Sequence, residues 1–148
     1  MPSTHTSLHY HLVFSTRERV RAIRPEIRER VHAYLGGVIR GIGGTPLEVG
    51  GTADHVHLVI GLKPTHVVAD VMRVLKSDSS KWVHAELGLR DFAWQDGYAA
   101  FTVSKSTVDA LREYVRNQEE HHRKRTFQEE YLEFLEKMEI EYDERYLW

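Results

Sequence analysis

The spacing of apolar residues switches along this chain between a two-residue and an about 3.6-residue period, and that order restricts the folds open to it more than any other feature. Leu8 to Ser15, LHYHLVFS, alternates as a strand with His9 and His11 on one face and Tyr10 and Leu12 on the other. After an arginine-rich connection, Pro25 opens a helix whose face carries Ile27, Val31, Tyr34, Leu35 and Val38 and which stops near Gly41 to Gly44. Pro46–Val49 and His55–Leu62 read as a hairpin across a turn of Gly, Thr and Asp. Thr65 is expected to cap a second helix with Val67, Val71, Val74 and Leu75 inward, ending at Gly88. A fourth strand spans Ala100 to Ser104. A third helix begins at Ser106, with Asp109 as its cap partner, and runs to about Arg123; a fourth follows the Thr126/Glu129 capping box. Two-state alternation in the order βαββαβ plus two helices predicts an α+β fold: a ferredoxin-like split βαβ, an antiparallel sheet with helices on one face and C-terminal helices added.

With 148 residues, 41% of them hydrophobic, the chain suits one core, so residues 1–148 are expected to form a single domain. It has no cysteine, which excludes thiolate metal sites, cysteine nucleophiles and disulfides and leaves only nitrogen and oxygen ligands for any metal. Neither a leader pattern nor a stretch of the ~20 apolar residues needed for a membrane span is present, and the expected location is cytoplasmic. A formal net charge of −2 argues neither for nor against nucleic acid, because the acidic residues concentrate after residue 118 and leave the preceding part mildly basic.

Chemistry is concentrated in two places. The HVH of the third strand puts His55 and His57 on the same face, with Val56 pointing the other way, an arrangement that suits a divalent metal and also an ordinary half-exposed strand. Tyr114 and Gln118, four apart, share a helix face, although such residues more often serve as rim and solvated positions.

The segments HYHLVFSTRER, GGTADHVHLVI, VMRVLKSDSSKW, FAWQDGYAAFTVS, REYVRNQEEHHRKRTF and EIEYDERYLW, in this order, resemble the HUH single-tyrosine transposases of bacterial insertion sequences, including the REP-associated tyrosine transposases. The resemblance spans nearly the whole chain. It implies that His55, His57 and Gln118 bind Mg2+ or Mn2+ and that Tyr114 is the nucleophile, attacking single-stranded DNA to form a 5′-phosphotyrosine. It further implies a homodimer that recognises DNA hairpins. Arg17, Arg19, Arg73, Lys76 and Lys81 are the candidate phosphate contacts, although surface Arg and Lys are solvated charges more often than ligands. No P-loop or GxGxxG is present, so no nucleotide cofactor is expected.

Alternatives stay open at this point. His121 or His122 could enter a different metal arrangement, and Asp54 could orient a histidine or simply belong to its turn. Trp82, Trp94, Tyr98 and Phe101 could stack on bases but are taken as core. A domesticated, non-cleaving binding protein of the same fold and a water-using phosphoesterase are the rival functions.

Overall fold

The computed structural model describes residues 3–122 and 124–148. Its sheet contains β1 (His9–Ser15), β2 (Thr45–Gly51), β3 (His55–Gly61) and β4 (Ala99–Val103) in the order β2-β3-β1-β4, every neighbouring pair antiparallel. α1 (Pro25–Gly41) and α2 (Val68–Glu86) connect these strands in the βαββαβ order, so the α+β expectation holds. α3 (Val108–Arg116), α4 (Gln118–His122) and α5 (Phe127–Lys137) follow. None of the described helices is long and apolar enough to cross a membrane.

Alternation along the strands sorts side chains into two layers. Leu12, Phe14, Val56, Leu58 and Ile60 face α1 and α2, where they bury against Val31, Leu35, Ile39, Val71, Met72, Leu75 and Val83. The other face carries Val13, Val59, Ala99 and Phe101 beneath α3 and α5, with Val108, Val115, Phe127, Tyr131 and Leu135 closing it. The C-terminal helices thus roof the face that carries the histidines. Trp94 and Phe101 are core as expected and Trp82 stacks on Tyr34, whereas Tyr98 is exposed.

Several boundaries differ from the sequence expectation. Thr65 caps nothing: α2 starts at Val68, because His66 receives the Lys63 N–H on Nδ1 at 2.9 Å and places Nε2 2.8 Å from the Ile42 carbonyl, tying the loop to the end of α1. Val67 therefore lies outside the helix and is exposed rather than core. Ser106 does not start the third helix either. A 3-10 turn covers Lys105–Thr107, and Ser104 rather than a capping box collects the hydroxyls of Ser106 and Thr107. The helix then breaks at Asn117 (φ −99°, ψ 30°), so Tyr114 and Gln118 sit on successive helices; the expected end at Arg123 lies outside the described residues. The Thr126/Glu129 capping box forms as predicted, and Met138 is exposed just beyond the end of that helix.

Two consequences are measurable. A Cβ built on Gly50 would stand 2.1 Å from the backbone oxygen of Val115, so only glycine lets α3 approach β2 this closely. Gly50→Ala is expected to cost about 1–3 kcal/mol in urea unfolding as α3 is pushed off the sheet. Separately, His32 on α1 has a buried Nε2 without a hydrogen-bond partner, and burial, with Arg28 and His55 adding repulsion, lowers its pKa from 6.5 to about 4. The unfolded chain takes up that proton below pH 6.5 and the folded chain only near pH 4. Stability should therefore fall as pH drops through that window, by up to roughly 3 kcal/mol from this group, and thermal unfolding of His32→Leu across the window should lose that part of the slope.

Candidate active site

On β3, residues two apart project to the same side, which places His55 and His57 side by side under the roof of C-terminal helices, both with no exposed surface. Each ring is fixed from behind. His55 Nδ1 lies 2.8 Å from Asp54 Oδ1 and 3.0 Å from the Thr52 hydroxyl, and Asp54 Oδ1 in turn accepts from Thr52 at 3.1 Å. Burial pushes the Asp54 carboxyl up, but the hydrogen bond and charge of His55 outweigh it and hold the group below its ordinary value. His57 Nδ1 meets His11 Nε2 at 2.8 Å, the two rings stacked. Desolvation pulls the pKa of both His11 and His57 below 6.5. In both ligand-candidate histidines the Nδ1 side is engaged and Nε2 points to the common site, the orientation that partners behind a metal-binding histidine impose.

Gln118 comes from the helix after the Asn117 break and is 1% exposed, far from the solvated position its residue type would suggest. Its Oε1 stands 3.0 Å from His55 Nε2 and 3.1 Å from His122 Nε2, while its Nε2 donates toward the Tyr114 carbonyl at 3.4 Å, which orients the amide. With the Nδ1 edge of His55 engaged by Asp54 and Thr52, its Nε2 faces the Gln118 oxygen. Two ligands bound at right angles to one cation at about 2.1 Å would themselves stand about 3.0 Å apart. The donor set of imidazole nitrogen and carbonyl oxygen fits a divalent metal.

Tyr114 reaches the same place from α3. Its hydroxyl donates to Glu130 Oε2, and its ring lies against His121, His57 and Phe134. Burial first, then the negative charge of Glu130, raises the phenol pKa above 10. Glu130 is 3% exposed, and its Oε1 lies 2.9 Å from His57 Nε2. Burial drives this carboxyl up, yet the hydrogen bonds of His122 and His57 hold it far below the usual carboxylate range. The atoms of His55, His122 and Glu130 that could ligate a metal lie within 4.8 Å of one another.

Tyr114, His55, His57 and Gln118 are thus brought together as the sequence suggested. Neither His11 nor Glu130 had been singled out. His11 does share the strand face predicted for it, but its partner strand cannot be read from alternation alone; Glu130, beside Glu129 in a first helical turn, has the pattern of a solvated residue.

The five cationic candidates divide. Arg19 borders a cleft of about 540 Å3, lined also by Arg21, Arg28 and Arg125, that opens on Asp54 and His122. Arg17 borders the adjacent surface and approaches Asp96 at 3.8 Å. Arg73 and Lys81 are exposed on α2, which packs on the opposite face of the sheet. Lys76 is committed elsewhere: its ammonium donates to the carbonyls of Gln95, Asp96 and Gly97 at 2.5, 3.1 and 2.9 Å.

Residues 4–118 match the sequence profile of the family described as IS200-like transposases. The transposase of insertion sequence element IS200 from Salmonella typhimurium is 30% identical over 115 residues, covering 74% of this chain and 75% of that protein. ISDra2 transposase TnpA of Deinococcus radiodurans is 23% identical over 117 residues, 75% of this chain and 84% of that one. Among solved structures, a Deinococcus radiodurans protein described as a transposase superposes with a TM-score of 0.65 at 26% identity, covering 80% of this chain and 95% of its own. A REP-associated tyrosine transposase, solved bound to a REP hairpin, gives a TM-score of 0.55 at 14% identity over 78% of this chain and 70% of that one, a likeness of fold.

Proposed function

Because this chain belongs to the IS200-like transposase family, we propose that it cuts and rejoins single-stranded DNA through Tyr114 at a divalent cation, Mg2+ or Mn2+, held by His55, His57 and Gln118. The observation that carries this reading is the convergence of four side chains from three elements on one buried point: His55 Nε2 meets Gln118 Oε1 at 3.0 Å, while His57 and the Tyr114 hydroxyl are joined through the Glu130 carboxylate.

A phenol of ordinary pKa near 10 is a weak nucleophile at neutral pH, and here burial beside Glu130 raises it further. Bound cation would supply positive charge that favours the phenolate and offsets charge on a non-bridging oxygen of the scissile phosphate. The chain's own residues do the rest. Asp54 and Thr52 fix the His55 ring, His11 fixes that of His57, and Glu130 aims the Tyr114 hydroxyl. The Tyr114 oxygen, its proton lost to solvent, would form a bond to phosphorus as the bond to the 3′ oxygen breaks, and the departing oxygen would take up a proton from water, giving a 5′-phosphotyrosine and a free 3′-OH. Attack by a 3′-OH on that ester reverses the exchange and reseals DNA without a nucleotide cofactor.

The substrate in this reading is a DNA hairpin with a single-stranded flank. A REP-associated tyrosine transposase of the same fold was solved bound to a REP hairpin, and the Arg19, Arg21, Arg28 and Arg125 cleft leads to Asp54 and His122, where phosphates would be drawn to the site. The active form is proposed to be a homodimer. Incubating the purified protein with labelled single-stranded and duplex DNA from the flanks of its gene, with and without Mg2+ or Mn2+, tests the proposal on denaturing gels. A metal-dependent adduct on single strands is the expected result; tight binding with no adduct on any flank would instead mark a non-cleaving binding protein.

A further inference from the structure

We propose that Glu130 is an additional ligand of the divalent cation, contributed by α5; the inference rests on the cation reading of this site. The apolar seam of α5 is Phe127, Tyr131 and Leu135, all buried at one-turn spacing, and Glu130 is inserted into that seam at 3% exposure. A carboxylate in such a position is strongly destabilising unless its charge is matched. Among the described residues no Lys or Arg side chain is paired with it. Its neighbours are the imidazoles of His57 at 2.9 Å, His122 at 3.4 Å and His55 at 3.9 Å, together with the Tyr114 hydroxyl.

Those neighbours are groups with which a metal site is built, and the carboxylate lies at their centre. The candidate atoms of His55, His122 and Glu130 fall within 4.8 Å, while ligands on opposite sides of an ion at about 2.1 Å stand about 4.2 Å apart, so the cluster needs only a slight contraction to close on one. Gln118 Oε1, within 3.1 Å of both His55 and His122, already belongs to it. His55, His57 and Gln118 are neutral ligands, a set better suited to softer ions. A carboxylate adds the charge and hard oxygen that Mg2+ and Mn2+ favour. This ligand would come from beyond residue 118, where the family match ends, so cation binding would fasten α5 over the strands that carry the histidines.

Titration of the DNA-free protein with Mn2+, read by the electron paramagnetic resonance of unbound ion, tests the assignment in wild type, Glu130→Gln, Glu130→Asp and His55→Ala. Glu130→Gln should weaken Mn2+ binding at least about tenfold and Glu130→Asp should recover part of the loss, at unchanged far-UV circular dichroism. Unchanged or tighter binding in Glu130→Gln, with binding lost in His55→Ala, would overturn the Glu130 assignment alone. Binding unchanged in His55→Ala as well would remove the cation reading beneath it. Should Glu130→Gln fail to fold, wild-type crystals soaked in Mn2+ decide the matter: an anomalous peak within about 2.3 Å of a Glu130 oxygen supports the ligand, and a peak beyond about 3.5 Å refutes it.

Discussion

Phenylalanine at position 114 should leave no covalent protein–DNA adduct and reduce strand cleavage by a factor on the order of 10⁴ or more, because the ring without its oxygen cannot form the phosphate ester. The expectation is sharp since little else should change. Tyr114 is partly buried against Val59, Val108 and Val115, contacts that phenylalanine retains, and Glu130 keeps His57 and His122 as partners. Hairpin binding should therefore persist within a few-fold in a gel-shift assay. Three readings separate on this one variant. A water-using phosphoesterase would keep cleaving, a non-cleaving binder would show no cleavage in either form, and only a tyrosine-dependent enzyme would lose an adduct that the wild type makes.

A second large effect is expected at His55. Its Nε2 faces Gln118 while Asp54 and Thr52 secure the opposite edge of the ring, so alanine removes a proposed ligand and strands its supports. Loss of a partner behind a metal ligand typically weakens metal binding about 10–100-fold, and loss of the ligand itself should exceed that. His55→Ala should thus bring Mg2+- or Mn2+-dependent cleavage to the level seen with EDTA. Asp54→Asn should give an intermediate loss that added metal partly restores. Cleavage by His55→Ala at wild-type rate and metal dependence would sink the proposed ligand set.

Much of this molecule is legible before any coordinates because its signals are local. Two-residue alternation assigned Val56 to one layer and His55 and His57 to the other, and the Thr126/Glu129 box marked the start of α5 where it begins. Failures came where distant groups intervene. The chain bypasses Thr65 because His66 finds Ile42 on another element, and the helix expected from Ser106 is interrupted at Asn117 where Gln118 turns under the roof of the site. Glu130 illustrates the limit best. Nothing in the neighbouring letters QEEY distinguishes a buried carboxylate from a solvated one, since its burial depends on His55 and His57 from a distant strand and on Tyr114 and His122 from the preceding helices. Lys76 is the converse, a cation whose exposed appearance in sequence conceals its hold on three carbonyls.

The pairing of β3 between β1 and β2, described above as geometry, also protects against error. Every side chain from His55 to Ile60 is buried, so the strand has no neutral side on which a mistake could be hidden. Sliding β3 by one residue would exchange the two faces, driving His55 and His57 into the apolar layer beside Phe14 and Leu75 and turning Val56 and Leu58 toward Gln118 and Glu130. Such a chain would bury imidazoles without partners and strand a carboxylate among valine and leucine, a double penalty that no local adjustment relieves. The histidine face is therefore proofread by the hydrophobic one. A molecule of this sequence that has folded stably has, by the same pairing, already assembled its histidines.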